Sequence, residues 1–181
     1  KFIEMHLADY EDKEFNDYEY IDKWILGSFQ EMEKGFIKYL DEYEVGLALN
    51  TLEKFFWNFC DNYIEIVKHR LYRPEEFGDI SRYSGQKTIY TLLFKLLQSF
   101  SIYFPFITEE IYQELYKESK SIHLTEIKPL ENDFEEEIKD EVGLSVGYIY
   151  EENGKMNLEL VENDEELNYV YSLVYETLME V

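Results

Sequence analysis

Three long segments of this chain repeat apolar residues at steps of three and four, and that spacing commits them to helices. In residues 47–72, Leu49, Leu52, Phe56, Phe59, Tyr63 and Ile66 hold the spacing. A second set, Phe55, Cys60, Ile64, Val67 and Leu71, widens the stripe. A helix apolar around that much of its circumference needs neighbours on two sides, so it is predicted to be central. Ile25, Phe29, Met32, Phe36, Tyr39 and Tyr43 mark a helix over 20–43, with Asp22 able to cap its start and Gly46 breaking the chain after it. Ile89, Leu92, Leu93, Leu96, Leu97, Phe100 and Phe104 mark another over 86–104, which Pro105 ends because proline lacks the N–H and clashes with the preceding turn. Thr108 is predicted to cap a shorter helix to about Lys117, with Glu109 and Glu110 at its positive end and Ile107 and Tyr112 at the spacing of a hydrophobic staple. Residues 73–85, RPEEFGDISRYSG, are rich in turn formers and read as a loop.

Beyond that point the period changes. Ile122, Leu124 and Ile127 suggest a short extended piece. Val146, Tyr148 and Tyr150 alternate, as do Met156, Leu158 and Leu160, and Asn153-Gly154 lies between them as a strong hairpin signal. Asn163 and Glu166 have capping-box spacing ahead of an amphipathic run, Leu167, Val170, Tyr171, Val174 and Leu178. The fold class this predicts is mainly α: a helical bundle over 20–130, an acidic segment over 1–19 before it, and a small acidic ββα appendage over 131–181.

Composition bounds what such a fold can do. The chain has 181 residues, 45% of them hydrophobic and 18% aromatic, so a packed core is expected. Its single cysteine, Cys60, rules out an internal disulfide or a cysteine-cluster metal site. No apolar run reaches the roughly 18–20 residues that cross a bilayer, so no membrane partner is expected. The first residues, KFIEMHLADYEDKEF, are too acidic for a targeting peptide and lack an initiator Met, which suggests a piece of a longer protein. The net charge of −23 is spread unevenly. Residues 1–44 hold 13 acids and 5 bases, residues 45–130 hold 11 and 10, and residues 131–181 hold 16 and 2. Within the near-neutral middle, 68–87 is net positive through Lys68, Arg70, Arg73, Arg82 and Lys87. Acidic surfaces repel phosphate backbones, so any nucleic-acid site is expected near 68–87 and nowhere else.

Catalytic signatures are missing from the sequence. His6, His69 and His123 are too scattered for a zinc site, and there is no glycine-rich phosphate loop or nucleophile elbow. Carboxylate runs such as Glu135-Glu136-Glu137 read as a solvated face. One constellation does carry chemistry. Trp57, Tyr63 and Tyr72 alternate with Asn58, Asp61, Glu65, Lys68 and Arg70. Single-stranded RNA is read by bases stacked on rings, hydrogen bonds to base edges and cations on phosphates. The same residues also suit a structural role, in which the rings are core and the cations close a helix C-terminus. Asp61 could equally pair with Lys68 or Arg70.

The residues themselves resemble a known family. Phe59-Cys60-Asp61-Asn62-Tyr63-Ile64-Glu65 with Lys68-His69-Arg70-Leu71, then Phe104-Pro105-Phe106-Ile107-Thr108-Glu109-Glu110-Ile111-Tyr112, are similar in string and order to the anticodon-binding domain of the valyl-tRNA synthetases, class I aminoacyl-tRNA synthetases. Tyr112 stands where that family usually has Trp, and Ser121-Ile122-His123-Leu124 resembles the short strand that follows there. The resemblance covers roughly 20–130. Leucyl- and isoleucyl-tRNA synthetases share the bundle, but these strings favour the valyl branch. What the resemblance implies is a class I synthetase anticodon-binding helical bundle that grips the anticodon stem-loop of a valine-specific tRNA in the cytoplasm and works beside the catalytic domain of the same synthetase. That separate domain would supply the ATP chemistry; no cofactor, metal or catalytic residue is expected in this chain. Rings of the second helix would stack on or line the anticodon site, and Lys68, Arg70, Arg73, Arg82 and Lys87 would hold phosphates. The alternative is a synthetase-like, non-catalytic protein-interaction module that has lost RNA binding. A free-standing enzyme is a weaker third reading.

Overall fold

The computed structural model describes residues 2–117, 120–130, 132–134, 148–152 and 155–159. Helix α1 is Phe2–His6, α2 Tyr20–Asp41, α3 Val45–Trp57, α4 Ile64–Tyr72, α5 Pro74–Phe77, α6 Asp79–Phe100 and α7 Pro105–Tyr116. Between α3 and α4, Asn58–Tyr63 form a π-helical turn without a break, so the predicted central helix is one rod with a widened middle. Its sequence explains the widening. Phe55, Phe59, Tyr63, Val67 and Leu71 are all buried and follow one another at steps of four. On an ideal α-helix each such step drifts about 40° around the axis, and a turn of i→i+5 bonding takes up the drift.

The core joins this rod to α2 and α6. Ile25, Phe29, Met32 and Phe36 of α2, Leu52 through Leu71 of the rod, and Ile89, Leu92 and Leu96 of α6 bury one continuous cluster. Leu97, Tyr112 and Ile122 form a smaller one under α7. After a 3₁₀ turn at Ile122–Leu124 the chain runs back across α6. There Gln98 donates to the Thr125 hydroxyl and the Glu126 carbonyl, and the Lys95 ammonium to the Lys128 carbonyl. Phe134 enters the main core.

Several local expectations are corrected. Residues 73–85 are not a loop. Gly78, at φ 88°, separates α5 from α6, and Ser81, Ser84 and Gly85 are buried small residues of α6 rather than turn formers. A Cβ on Gly85 would stand 2.6 Å from Val67 Cγ2, so glycine is what lets α6 close on α4. Asp22 does not cap α2; it is fully buried in the first turn of the helix, and Glu19 holds the N-cap position. Gly46 lies within α3, and the break falls at 42–44. There Glu44 N–H bonds the Tyr39 carbonyl and Tyr43 N–H the Leu40 carbonyl, the paired bonds of a Schellman cap. Pro105 begins α7 instead of ending α6, which stops at Phe100, because proline costs nothing at a first helical position. Thr108 therefore sits inside α7 and its hydroxyl donates back to the Phe104 carbonyl, so neither its cap nor the staple forms. Ile122 and Leu124 lie in the 3₁₀ turn rather than in an extended piece.

The chain divides into two compact units, Lys1–Glu135 and Glu136–Val181. The boundary falls later than 130 because Phe134 is a core residue. Nor is 1–19 a separate segment: Phe2, Ile3, Leu7 and Tyr18 pack against the bundle core. In the second unit, strands β1 (Tyr148–Glu152) and β2 (Lys155–Glu159) pair antiparallel, from Tyr148 opposite Glu159 to Glu152 opposite Lys155. The Asn153-Gly154 turn and the helix expected after Asn163 lie outside the described residues.

Candidate nucleic-acid interface

The rod formed by α3, the π-turn and α4 turns one side to solvent. Trp57, Asp61, Glu65, Lys68 and Tyr72 lie along it, with Asn58 beside them. At 1.5 Å per residue this ridge is about 22 Å long. A ring stands at each end. Trp57 is 55% exposed, its inner edge against Phe56 at 5.4 Å between centroids. Tyr72 is 52% exposed and meets the His6 ring edge-on at 4.4 Å. Between them, Asn62 donates to the Asn58 side chain at 2.7 Å and Lys68 pairs with Glu65 at 2.6 Å. With Asp61 exposed, the middle of the ridge carries more negative than positive charge.

Two residues expected on this surface are in the core. Tyr63 is fully buried, and its hydroxyl donates to Asp22 at 2.6 Å. The Arg70 guanidinium is buried too, and grips both oxygens of Asp22 at 2.6 and 3.0 Å while also donating to the Ser81 carbonyl. Ser84 donates to the second Asp22 oxygen. Desolvation works against the Arg70 charge, but the Asp22 carboxylate more than offsets it and raises the guanidinium pKa; burial and the same carboxylate push the Tyr63 hydroxyl well up. The physical reason for the correction is polar satisfaction. A buried carboxylate needs donors on every side, and α4, the π-turn and α6 supply them. Asp61 takes neither expected partner, since Arg70 pairs with Asp22 and Lys68 with Glu65.

The remaining cations gather at the Tyr72 end. Arg73 pairs with Glu76 at 3.0 Å and lies near the Phe77 ring. Arg82 donates to the Leu71 carbonyl at the end of α4 and takes both oxygens of Asp9 at 2.8 and 3.1 Å. Lys87 pairs with Asp12 at 2.5 Å. Each of the five cations therefore has a carboxylate partner, and Arg82 and Lys87 draw theirs from the N-terminal segment. That segment gathers around Tyr83: Tyr10 stacks on its ring at 5.5 Å, the Lys13 ammonium stands over the ring at 4.5 Å, and its hydroxyl donates to the Glu11 carbonyl at 3.0 Å. Gln86 ties the segment down further, donating to the His6 carbonyl and to Asp9.

The hydrogen bond from Arg82 holds the Asp9 carboxyl below the usual range. Burial alone would raise Asp12, but Lys87 and the Tyr10 hydroxyl override it and its pKa is also lowered. His6 is held down by burial and by Arg82, and its Nε2 has no hydrogen-bond partner. Burial pushes the Cys60 thiol up, away from reactivity. Among the described residues no group of His, Cys, Asp and Glu could hold a metal ion, and no helix is long and apolar enough to cross a membrane. Sequence reading missed Asp9 and Asp12 in the N-terminal segment and Tyr83 and Gln86 in α6, two groups more than 70 residues apart along the chain; nothing local signals that they meet.

The chain matches the family model for the anticodon-binding domain of tRNA ligase over residues 22–176. It is 41% identical over 119 residues to a valine–tRNA ligase of Rickettsia rickettsii (strain Sheila Smith), covering 65% of this chain and 14% of that protein. A valine–tRNA ligase of Picrophilus torridus is 36% identical over 116 residues, 63% of this chain and 14% of that protein. One from Pyrococcus furiosus is 30% identical over 149 residues, 79% of this chain and 16% of its own. The chain thus spans 14–16% of the length of these relatives. A mainly α bundle whose core helix carries the Phe-Cys-Asp string, matched over most of its length, places the chain in the anticodon-binding domain family of tRNA ligases.

Proposed function

We propose that this domain holds the anticodon stem-loop of a valine tRNA and is the recognition part of a cytoplasmic valine–tRNA ligase, working beside that enzyme's catalytic domain, where ATP and valine would be handled. The observation that carries the reading is the identity of 30–41% to valine–tRNA ligases of different organisms over 63–79% of this chain. The geometry supports a division of labour on the ridge. Trp57 and Tyr72 offer rings to unstacked bases, and Asn58, Asp61 and Glu65 offer hydrogen bonds to base edges. Lys68, Arg73, Arg82 and Lys87 offer charge to phosphates, whereas Tyr63 and Arg70 act from inside by fixing the rod's shape. The competing reading, an interaction module without RNA affinity, gains no observation of its own from the relatives.

The test is a titration of labelled valine tRNA and a non-cognate tRNA at two salt concentrations. Binding of the valine tRNA should be tighter and should fall steeply with salt, because each phosphate contact releases counterions. Absence of binding at low salt would overturn the proposal for this chain. Trp57→Ala should weaken binding by about 1–3 kcal/mol, the range for one lost base stack, with the fold unchanged.

A further inference from the structure

Asp9 and Asp12 stand on Arg82 and Lys87 in the way phosphates would. Asp9 meets the guanidinium with both oxygens, the geometry a phosphate uses. Asp12 closes on the Lys87 ammonium at 2.5 Å. The cations keep only 22% and 18% of their side-chain exposure, while the two carboxylates are 60% and 52% exposed. A ligand approaching this corner therefore meets acid first. The carboxylates belong to a segment held mostly by contacts to one side of α6. Tyr72 lies beside this corner, through the Arg82 bond to Leu71 and the His6 ring contact.

We infer that residues 9–12 are an intramolecular competitor for the phosphate backbone: they neutralise Arg82 and Lys87 in the free domain and must release them before these cations can hold RNA. The inference rests on the RNA-binding reading above and concerns regulation of that same site. It also accounts for Arg82 and Lys87 being already paired, with carboxylates from a segment about 75 residues away in sequence. Release exchanges carboxylate for phosphate on the same two cations, so binding carries an internal penalty that screens out weak polyanions.

The test is a mutant cycle on the full chain, read by titration of a labelled valine anticodon stem-loop between 50 and 200 mM salt. Asp9→Asn with Asp12→Asn should tighten binding about tenfold at the lower salt and steepen the logarithmic salt slope by about 1.5, since binding then no longer opens two ion pairs, whose freed charges take up the salt ions that the phosphate contacts release. Asp41→Asn with Glu42→Gln, an equal charge change at the exposed far end of α2, should give much less. Arg82→Ala with Lys87→Ala should cost little in the native background and should abolish the gain in the Asn background. Asp12→Asn alone should give a gain of the same sign and serves as the test if the double variant fails to fold. Equal gains from the two acid-neutralised pairs, or no gain from the first, would overturn the inference while leaving the RNA reading intact. No binding by the native chain or by the Asn variant at 50 mM salt would overturn both.

Discussion

Arg70 and Asp22, 48 residues apart in sequence, form a two-pronged ion pair at 2.6 and 3.0 Å in the centre of the bundle, and that pair fixes where α2, α4 and α6 meet. It is the hub of a network in which Tyr63 and Ser84 also donate to Asp22. Such a pair is costly to break from one side, because the abandoned partner stays buried and charged.

Arg70→Ala is therefore a stability change and not an RNA-contact change. It should cost about 3–5 kcal/mol, the range for removing one partner of a buried pair. Urea unfolding would show the loss as a lower midpoint with an unchanged slope. At temperatures where the variant stays folded, RNA affinity should be close to native. A selective loss of affinity with native stability would return Arg70 to the binding surface.

The contact between α4 and α6 predicts a second outcome. Gly85→Ala places a methyl 2.6 Å from Val67 Cγ2 and 3.5 Å from Leu71 Cδ2. Overpacking of this kind costs about 1–3 kcal/mol. Val67→Ala should destabilise by itself through the lost methyls. Combined, the two should be less damaging than their sum, because the new methyl occupies the space the valine leaves. Additive losses in denaturant midpoints would mean that the helices separate rather than clash locally.

His6 gives the N-terminal segment a pH dependence. Burial and Arg82 lower its folded pKa below the ordinary 6.5. A depressed pKa means the opened form takes up the proton first, so the stability that neutral His6 lends is complete above about pH 6.5 and is lost as pH falls through its folded value. Amide exchange at Leu7, whose N–H bonds the Ile3 carbonyl, should lose protection between pH 7.5 and 5.5 after correction for intrinsic rates. His6→Phe should flatten that change. Asp9 and Asp12, also depressed, add their own loss only below about pH 4, a separate window.

How far the sequence carried the fold depends on what each signal measures. Apolar spacing reports which residues face a core, and it placed α2, the rod and the body of α6 because burial there is periodic. It could not place helix ends, since Pro105 stops one helix and starts the next by the same missing N–H. It misread 79–85 because Ser81, Ser84 and Gly85 are small for packing against α4, and smallness is also what turns select. The geometry of the candidate site was legible in part. Trp57 and Tyr72 are exposed as a stacking role requires, but Tyr63 belongs to the same string and is buried, because the π-turn sets which residues of the rod face inward. Long-range pairing was beyond reach: Arg82 and Lys87 look free until the topology brings Asp9 and Asp12 across them.

Tyr43 supplies the last prediction. It occupies the left-handed position of the cap that ends α2, at φ 60°, where a side chain costs roughly 1 kcal/mol and glycine costs little. Its ring is 90% exposed, so removing it forfeits almost no burial. Tyr43→Gly should stabilise the bundle by about 0.5–1 kcal/mol, with the gain trimmed by the extra freedom of glycine in the unfolded chain. Tyr43→Ala keeps a Cβ in the strained backbone and should give much less. Thermal midpoints of the two variants decide the matter: a rise confined to glycine assigns the cost to the backbone, whereas equal midpoints would show that the turn is relaxed with tyrosine in place.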